Sequence, residues 1–182
     1  ESIKKENKSK AEQLASKIIN RHNQLAKQTI KKSDIQKKLL VKLNEDFTEL
    51  LALIDGLVLL GEVTSRSMDY LISFGERLSI KLIAAAINDL SKKSISLTGK
   101  EVGIVTDSNF GESKPLIDTT RLRVSKSIDN LFSKKVIPVI GGFAGADQHG
   151  HTTTFGRGGS DYSATIIGSC IKADEIWLMS DV

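Results

Sequence analysis

Apolar positions at helical spacing fill the first half of the chain and give way to short β-branched runs in the second. From Ser9 to Ile30, apolar residues recur at Ala11, Leu14, Ile18, Leu25 and Ile30, the spacing of a helix with one face turned inward. His22 falls on or near that face and reads as a packed residue rather than a metal ligand. Ser33-Asp34 interrupts the pattern and is expected to cap a second helix. Asp46 to Leu60 sets Phe47, Leu50, Leu51, Ile54, Leu57 and Val58 on a broad apolar face and predicts a helix. Thr64 to Ser67 reads as a polar turn. Met68, Leu71 and Ile72 then lead through Ser73-Phe74-Gly75-Glu76 to Leu78–Leu90, apolar nearly all round and therefore a buried helix. This places Glu76 at the mouth of a core helix, where an acid complements the helix dipole.

The character changes near Lys93. Glu101 to Thr106 (EVGIVT) reads as a strand, Ser125 to Phe132 as a short helix, and Lys135 to Ile140 (KVIPVI) as a second strand. Pro138 suits an edge or a strand end. Ala164 to Ile171 has a helical pattern, and Glu175 to Met179 (EIWLM) reads as a third strand. Helices between such strands indicate βαβ units and a parallel sheet, hence an α/β fold. Three strands are few for so many helices, so the chain is expected to be part of a larger domain: residues 1–95 mainly helical, residues 96–182 an α/β part.

Composition changes this picture little. Forty per cent hydrophobic and 26% charged residues describe a soluble globular chain. No apolar run approaches the roughly 20 residues that span a bilayer. No secretory signal opens the sequence, and a single cysteine excludes an internal disulfide. A cytoplasmic setting is expected. The net charge of +4 hides a basic first segment, 12 Lys/Arg against 4 Asp/Glu in residues 1–42. Its lysines spread round a helical pattern without aromatic neighbours, which reads as a solvated face rather than a nucleic-acid surface.

The candidate chemistry lies in residues 141–163, GGFAGADQHGHTTTFGRGGSDYS, read as a glycine-dense loop between a strand and a helix. Glycines let backbone N–H groups crowd round an anion, and a helix start adds a favourable dipole. Arg157 offers a planar fork for a carboxylate or phosphate. A plain helix cap would account for Ser160 and Asp161 but not for Arg157, Gly158 and Gly159. Arg157, Ser160 and the amides between them are candidates for one carboxylate of a small diacid, Glu76 for its ammonium group and Phe143 for a pocket wall. The GxxxxGK[ST] phosphate loop is absent, and Asp161 stands where a dinucleotide fingerprint needs its third glycine. His149, His151 and Asp147 are spaced poorly for a metal and read as a hairpin tip; no metal site is expected. Cys170 reads as core.

The stretch TTTFGRGGSDYSA, with SFGERLS at Ser73–Ser79 and SDV at Ser180–Val182 in the right order, resembles aspartate kinases of the amino acid kinase superfamily. The resemblance implies a three-layer α/β/α sandwich around a mainly parallel sheet. It implies Mg-ATP-dependent phosphorylation of the side-chain carboxylate of L-aspartate, with ATP and Mg2+ as cofactors. Glu76, Phe143, Arg157, Gly158, Gly159 and Ser160 would contact substrate, Ser180 and Asp181 the nucleotide, and Asp161 would organise lysine or metal near the phosphates. It further implies a homodimer through ACT domains, and a phosphate loop and nucleotide segment outside these residues. Another acceptor within the superfamily, or an amino-acid-sensing paralogue without activity, stays open at this point.

Overall fold

The computed structural model describes residues 8–179. Three long helices come first: α1 (Lys8–Thr29), α2 (Ser33–Leu60) and α3 (Ser65–Asp89). Their facing sides bury two apolar clusters. Ala26 and Ile30 meet Leu39, Leu43 and Phe47 of α2 and Leu78 and Ala85 of α3. Toward the other end, Ala11 and Ala15 meet Leu50, Ile54, Val58 and Phe74. On α1 the face that packs is not the one expected: Ala11 and Ile30 are buried with Ala15 and Ala26, whereas Leu14, Ile18 and Leu25 are exposed. His22 donates its Nδ1–H to the Ile18 carbonyl and sits edge-on to Phe47.

Two boundaries differ from expectation. Neither Ser33 nor Asp34 caps α2: its cap position is Lys32, without a side-chain hydrogen bond. More consequentially, α3 does not start near Glu76. Thr64 and Ser67 close a reciprocal capping box and the helix runs unbroken through Gly75, so Glu76 lies in mid-helix. The dipole argument for Glu76 therefore fails.

The second half begins with β1 (Ser94–Leu97), α4 (Gly99–Val102) and β2 (Val105–Thr106), followed by α5 (Ile117–Ser133). Then come β3 (Ile137–Ile140), β4 (Ala144–Asp147), β5 (Thr152–Thr154) and α6 (Gly159–Cys170). The run EVGIVT is split rather than a single strand. Thr98 and Glu101 form a second capping box that winds 99–102 into a helical turn, and only Val105-Thr106 remain extended. The 141–163 stretch is not one loop either: it holds the β4–β5 hairpin, with His149 and His151 at its tip as expected. Residues 175–179 are not a strand; Trp177 and Met179 are largely exposed and find no strand partner among the described residues.

β1 and β3 pair in parallel, Ser94 opposite Ile137 through Leu97 opposite Ile140. A second sheet has the order β2-β4-β5, with β2 parallel and β5 antiparallel to β4. Pro138 is tolerated because β3 has one strand neighbour among the described residues. Helix α3 lies against β1, β3 and β5, while α5 and α6 pack on each other and reach β2, β3 and β4. On the α5–α6 side Val102, Ile104, Val124, Ile128, Phe155, Ile166 and Cys170 form a third cluster, joined by Leu97 and Ile140. It shares no residue with the helical clusters. The strands thus separate two helical layers, the α/β arrangement the sequence led us to expect.

Candidate functional site

The site is built where the turn after β3 passes between the two layers. Gly141 and Gly142 thread between α3 and α6: a methyl group added to Gly141 would stand 3.6 Å from Glu76 Cβ and Ile80 Cδ1. One added to Gly142 would stand 3.2 Å from Ser160 Cα. The pair is a side-chain-free spacer, bringing a residue of α3 and the start of α6 to either side of one backbone segment.

Phe143 follows in the left-handed region at φ 67°, unusual for a bulky residue. Its N–H donates to Ser163 Oγ at 2.8 Å, and its carbonyl accepts from the Phe155 N–H at 3.0 Å. A methyl on Gly159 would meet the Phe143 ring at 3.0 Å and Phe155 Cβ at 3.1 Å. The two phenylalanines therefore clamp the first residue of α6. A backbone held in a sparsely populated region by several contacts is a common mark of a functional site.

The glycines of GRGG are used for conformation. Gly156 and Gly158 have φ of 74° and 77°, and Gly158 occupies the cap position of α6 with no side chain bonded across the first turn. Ser160, expected as an alternative cap, is instead the second residue of the helix and exposed. The uncapped first turn presents backbone N–H groups and the positive end of the helix dipole. Arg157 and Asp161 are both exposed, and neither makes a hydrogen bond or ion pair among the described residues.

Glu76, half-buried, likewise has no partner among the described residues. Burial pushes its carboxyl above the usual range. It borders a cleft of about 580 Å³, also lined by Gly141, Gly142, Arg77, Lys81 and Thr98. Of the sequence candidates only Glu76 borders this space together with the glycine spacer; Phe143 and Arg157–Ser160 stand beyond Gly142, and Ser180 and Asp181 lie outside the described residues.

One group along the cleft was not legible in the sequence. Buried Asp46 of α2 accepts from Arg77 Nη2 at 2.8 Å and from Lys81, and Arg77 also bonds Glu49 at 2.6 Å. The guanidinium lies 4.3 Å from the centre of the Phe74 ring. Charges spread over two helices 31 residues apart leave no local spacing to read. Asp147, at the hairpin base, is similar: it accepts from Ser108 Oγ and from the backbone N–H groups of His149 and His151.

A glycine turn at a helix start and a carboxylate lie on the two sides of a glycine spacer in an α/β frame, and the chain belongs to the amino acid kinase family, whose model matches residues 7–182. Its relatives within that family include aspartokinases. The chain is 39% identical over 132 residues to aspartokinase 3, chloroplastic, of Arabidopsis thaliana, covering 71% of this chain and 23% of that protein. It is 42% identical over 118 residues to the aspartokinase of Helicobacter pylori strain 26695, covering 64% and 28%. The crystal structure of E. coli aspartokinase III in complex with lysine and aspartate shares the fold, with a TM-score of 0.65 at 21% identity over 86% of this chain and 38% of that one. The chain spans about a quarter of the length of the curated relatives it matches.

Proposed function

We propose that the protein is an aspartate kinase, transferring the γ-phosphoryl group of Mg-ATP to the side-chain carboxylate of L-aspartate to give 4-phospho-L-aspartate, the first step toward lysine, threonine and methionine. The observation that carries this reading is that the uncapped GRGGS turn of α6 and Glu76, which has no partner among the described residues, lie on the two sides of Gly141-Gly142. An amino acid with two carboxylates needs one acid for its ammonium group and an amide-and-guanidinium cradle for a carboxylate. In this reading Glu76 holds the ammonium and Arg157, Gly158, Gly159 and Ser160 grip a carboxylate, with Phe143 fixing the turn. Phosphoryl transfer asks the protein mainly for alignment and charge.

A helix start with free N–H groups suits an anion, and in this reading the start of α6 takes the aspartate carboxylate rather than the nucleotide phosphates. The described residues hold no group of three or more His, Cys, Asp or Glu for a metal. Mg2+ usually binds through nucleotide phosphates with one or two carboxylates. Asp161 is the carboxylate beside the turn that would serve, and Ser180 and Asp181 are assigned to the nucleotide on resemblance alone. A cytoplasmic homodimer belongs to the same proposal.

The test is ADP release by the full-length protein with aspartate, glutamate, acetylglutamate and UMP offered in parallel. Turnover with aspartate is expected. Turnover only with another acceptor removes the substrate assignment, and tight aspartate binding without ADP release points to an amino-acid sensor. Arg157→Ala should raise the aspartate KM by roughly 10- to 100-fold, the worth of a charge-assisted hydrogen bond, with the ATP KM nearly unchanged. Unchanged aspartate kinetics would count against the pocket.

A further inference from the structure

Asp69 lies on α3 seven residues before Glu76, about 10 Å along the helix axis. Its exposure is 1%, and a buried carboxylate is costly unless its oxygens are satisfied. Its side-chain hydrogen-bond partners among the described residues lie far away in sequence. Oδ2 accepts from the Thr154 N–H and the Gly111 N–H, both at 2.9 Å, and Oδ1 accepts from the Thr154 hydroxyl at 2.7 Å. Helix α3 does not need these bonds for its own formation, because its start is closed by the Thr64–Ser67 box.

Both partners flank the GRGG turn. Thr154 ends β5 and precedes Phe155-Gly156 directly. Gly111 abuts the turn from the other side: a methyl on Gly156 would stand 3.0 Å from the Gly111 carbonyl oxygen. Ser113 ties the two flanks together, donating its N–H and its hydroxyl to the Thr154 carbonyl, both at 2.9 Å. One carboxylate on the helix of Glu76 thus grips both sides of the segment that presents Arg157 to Ser160.

We infer that Asp69 is the positioning residue of the substrate pocket, fixing the span between Glu76 and the turn and so the length of amino acid that fits. The inference rests on the aspartate reading above. Asparagine can keep the two backbone bonds at one oxygen and turn its amide toward the Thr154 hydroxyl; alanine leaves the buried Thr154 N–H and the half-buried Gly111 N–H without this partner.

The test compares Asp69→Ala, Asp69→Asn and Thr154→Val in the full-length protein. Asp69→Ala should lower kcat/KM for aspartate on the order of 10- to 100-fold through KM, as misplacement does, with the ATP KM within about twofold. Its preference for aspartate over glutamate should narrow, and Asp69→Asn should restore most of both. Parallel loss in both KM values, or an asparagine variant no better than alanine, overturns the inference. If the alanine variant does not fold, Thr154→Val decides: a rise in aspartate KM alone supports the role and no rise refutes it. If the unaltered protein shows no aspartate turnover, the functional reading has failed. Amide hydrogen exchange then tests the clamp by itself: faster exchange at residues 156–160 in Asp69→Asn or Asp69→Ala keeps it, and unchanged exchange in both removes it.

Discussion

Replacing Gly99 with alanine should separate the layers beside the cleft. The added Cβ would lie 1.9 Å from the Ala144 carbonyl oxygen and 2.9 Å from its carbon, both backbone atoms. A relaxed carbon–oxygen contact is about 3.3 Å, so α4 and β4 must part by roughly 1.4 Å. Strand β4 has little room to yield. It is held between β2 and β5, and a methyl on its Gly145 would already be 2.9 Å from Ile104 Cγ2. The short α4 would move instead and loosen Val102, which has no exposed surface. Overpacking of this kind costs about 3 kcal/mol. Gly56 is the control: it lies inside α2, and a methyl there meets nothing within 4 Å. The same substitution should stabilise by about 0.5–1 kcal/mol, through helix propensity alone. With a urea slope of about 2 kcal/mol/M, the two variants should unfold with midpoints roughly 2 M apart, on opposite sides of the parent. Circular dichroism in urea measures this. A Gly99→Ala midpoint equal to that of the parent would mean that the α4–β4 contact is wrong.

Other outcomes follow from single groups. Glu76 has its carboxyl raised by burial, so the charged form is disfavoured in the folded state; Glu76→Gln should raise the melting temperature at pH 7 while weakening aspartate binding, and a lower melting temperature would contradict the burial argument. For Asp147, burial favours the neutral form, but hydrogen bonds from His151, Ser108 and His149 outweigh it and hold the carboxyl at about 2. The folded value lies below the ordinary one near 3.8, so this stabilisation is complete above that value and is lost as pH falls toward 2. Acid unfolding of Asp147→Asn should therefore show a flatter dependence on pH over that window. Leu43→Ala, at a site with no exposed surface, should cost about 2–5 kcal/mol in chemical denaturation.

What could be read in advance followed from local periodicity. The face of α2, the β3 run and the pattern of α6 are consequences of spacing that any partner layer would satisfy; α1 was legible as a helix but not in its inward face, which is built on alanines while Leu14, Ile18 and Leu25 are exposed. The errors have physical causes too. Thr98-Gly-Lys-Glu101 carries a capping-box signature inside a run whose β-branched residues suggested a strand, and the reciprocal side-chain bonds decided the contest. Gly75 looked like a break before Glu76, yet a glycine inside a long helix costs only about 1 kcal/mol, less than the packing of Phe74 and Leu78 on its two sides returns. Strands β4 and β5 are short and built from small residues and threonines, so they show little apolar alternation. The glycine turn was legible because its chemistry is contiguous. Asp69 was not, because its partners stand 42 and 85 residues away.

The glycine spacer has a consequence for how the molecule comes apart. Glu76 hangs from a helix whose apolar contacts belong to the α1–α3 clusters, whereas Ser160 belongs to a helix rooted in the cluster of α5 and α6. A ligand bridging them is a strut between two independently buried cores. Its binding energy is therefore expressed as cooperativity: with the pocket filled, both cores should melt in one sharper transition, and with it empty the seam at Gly141-Gly142 is where their unfolding can first be told apart.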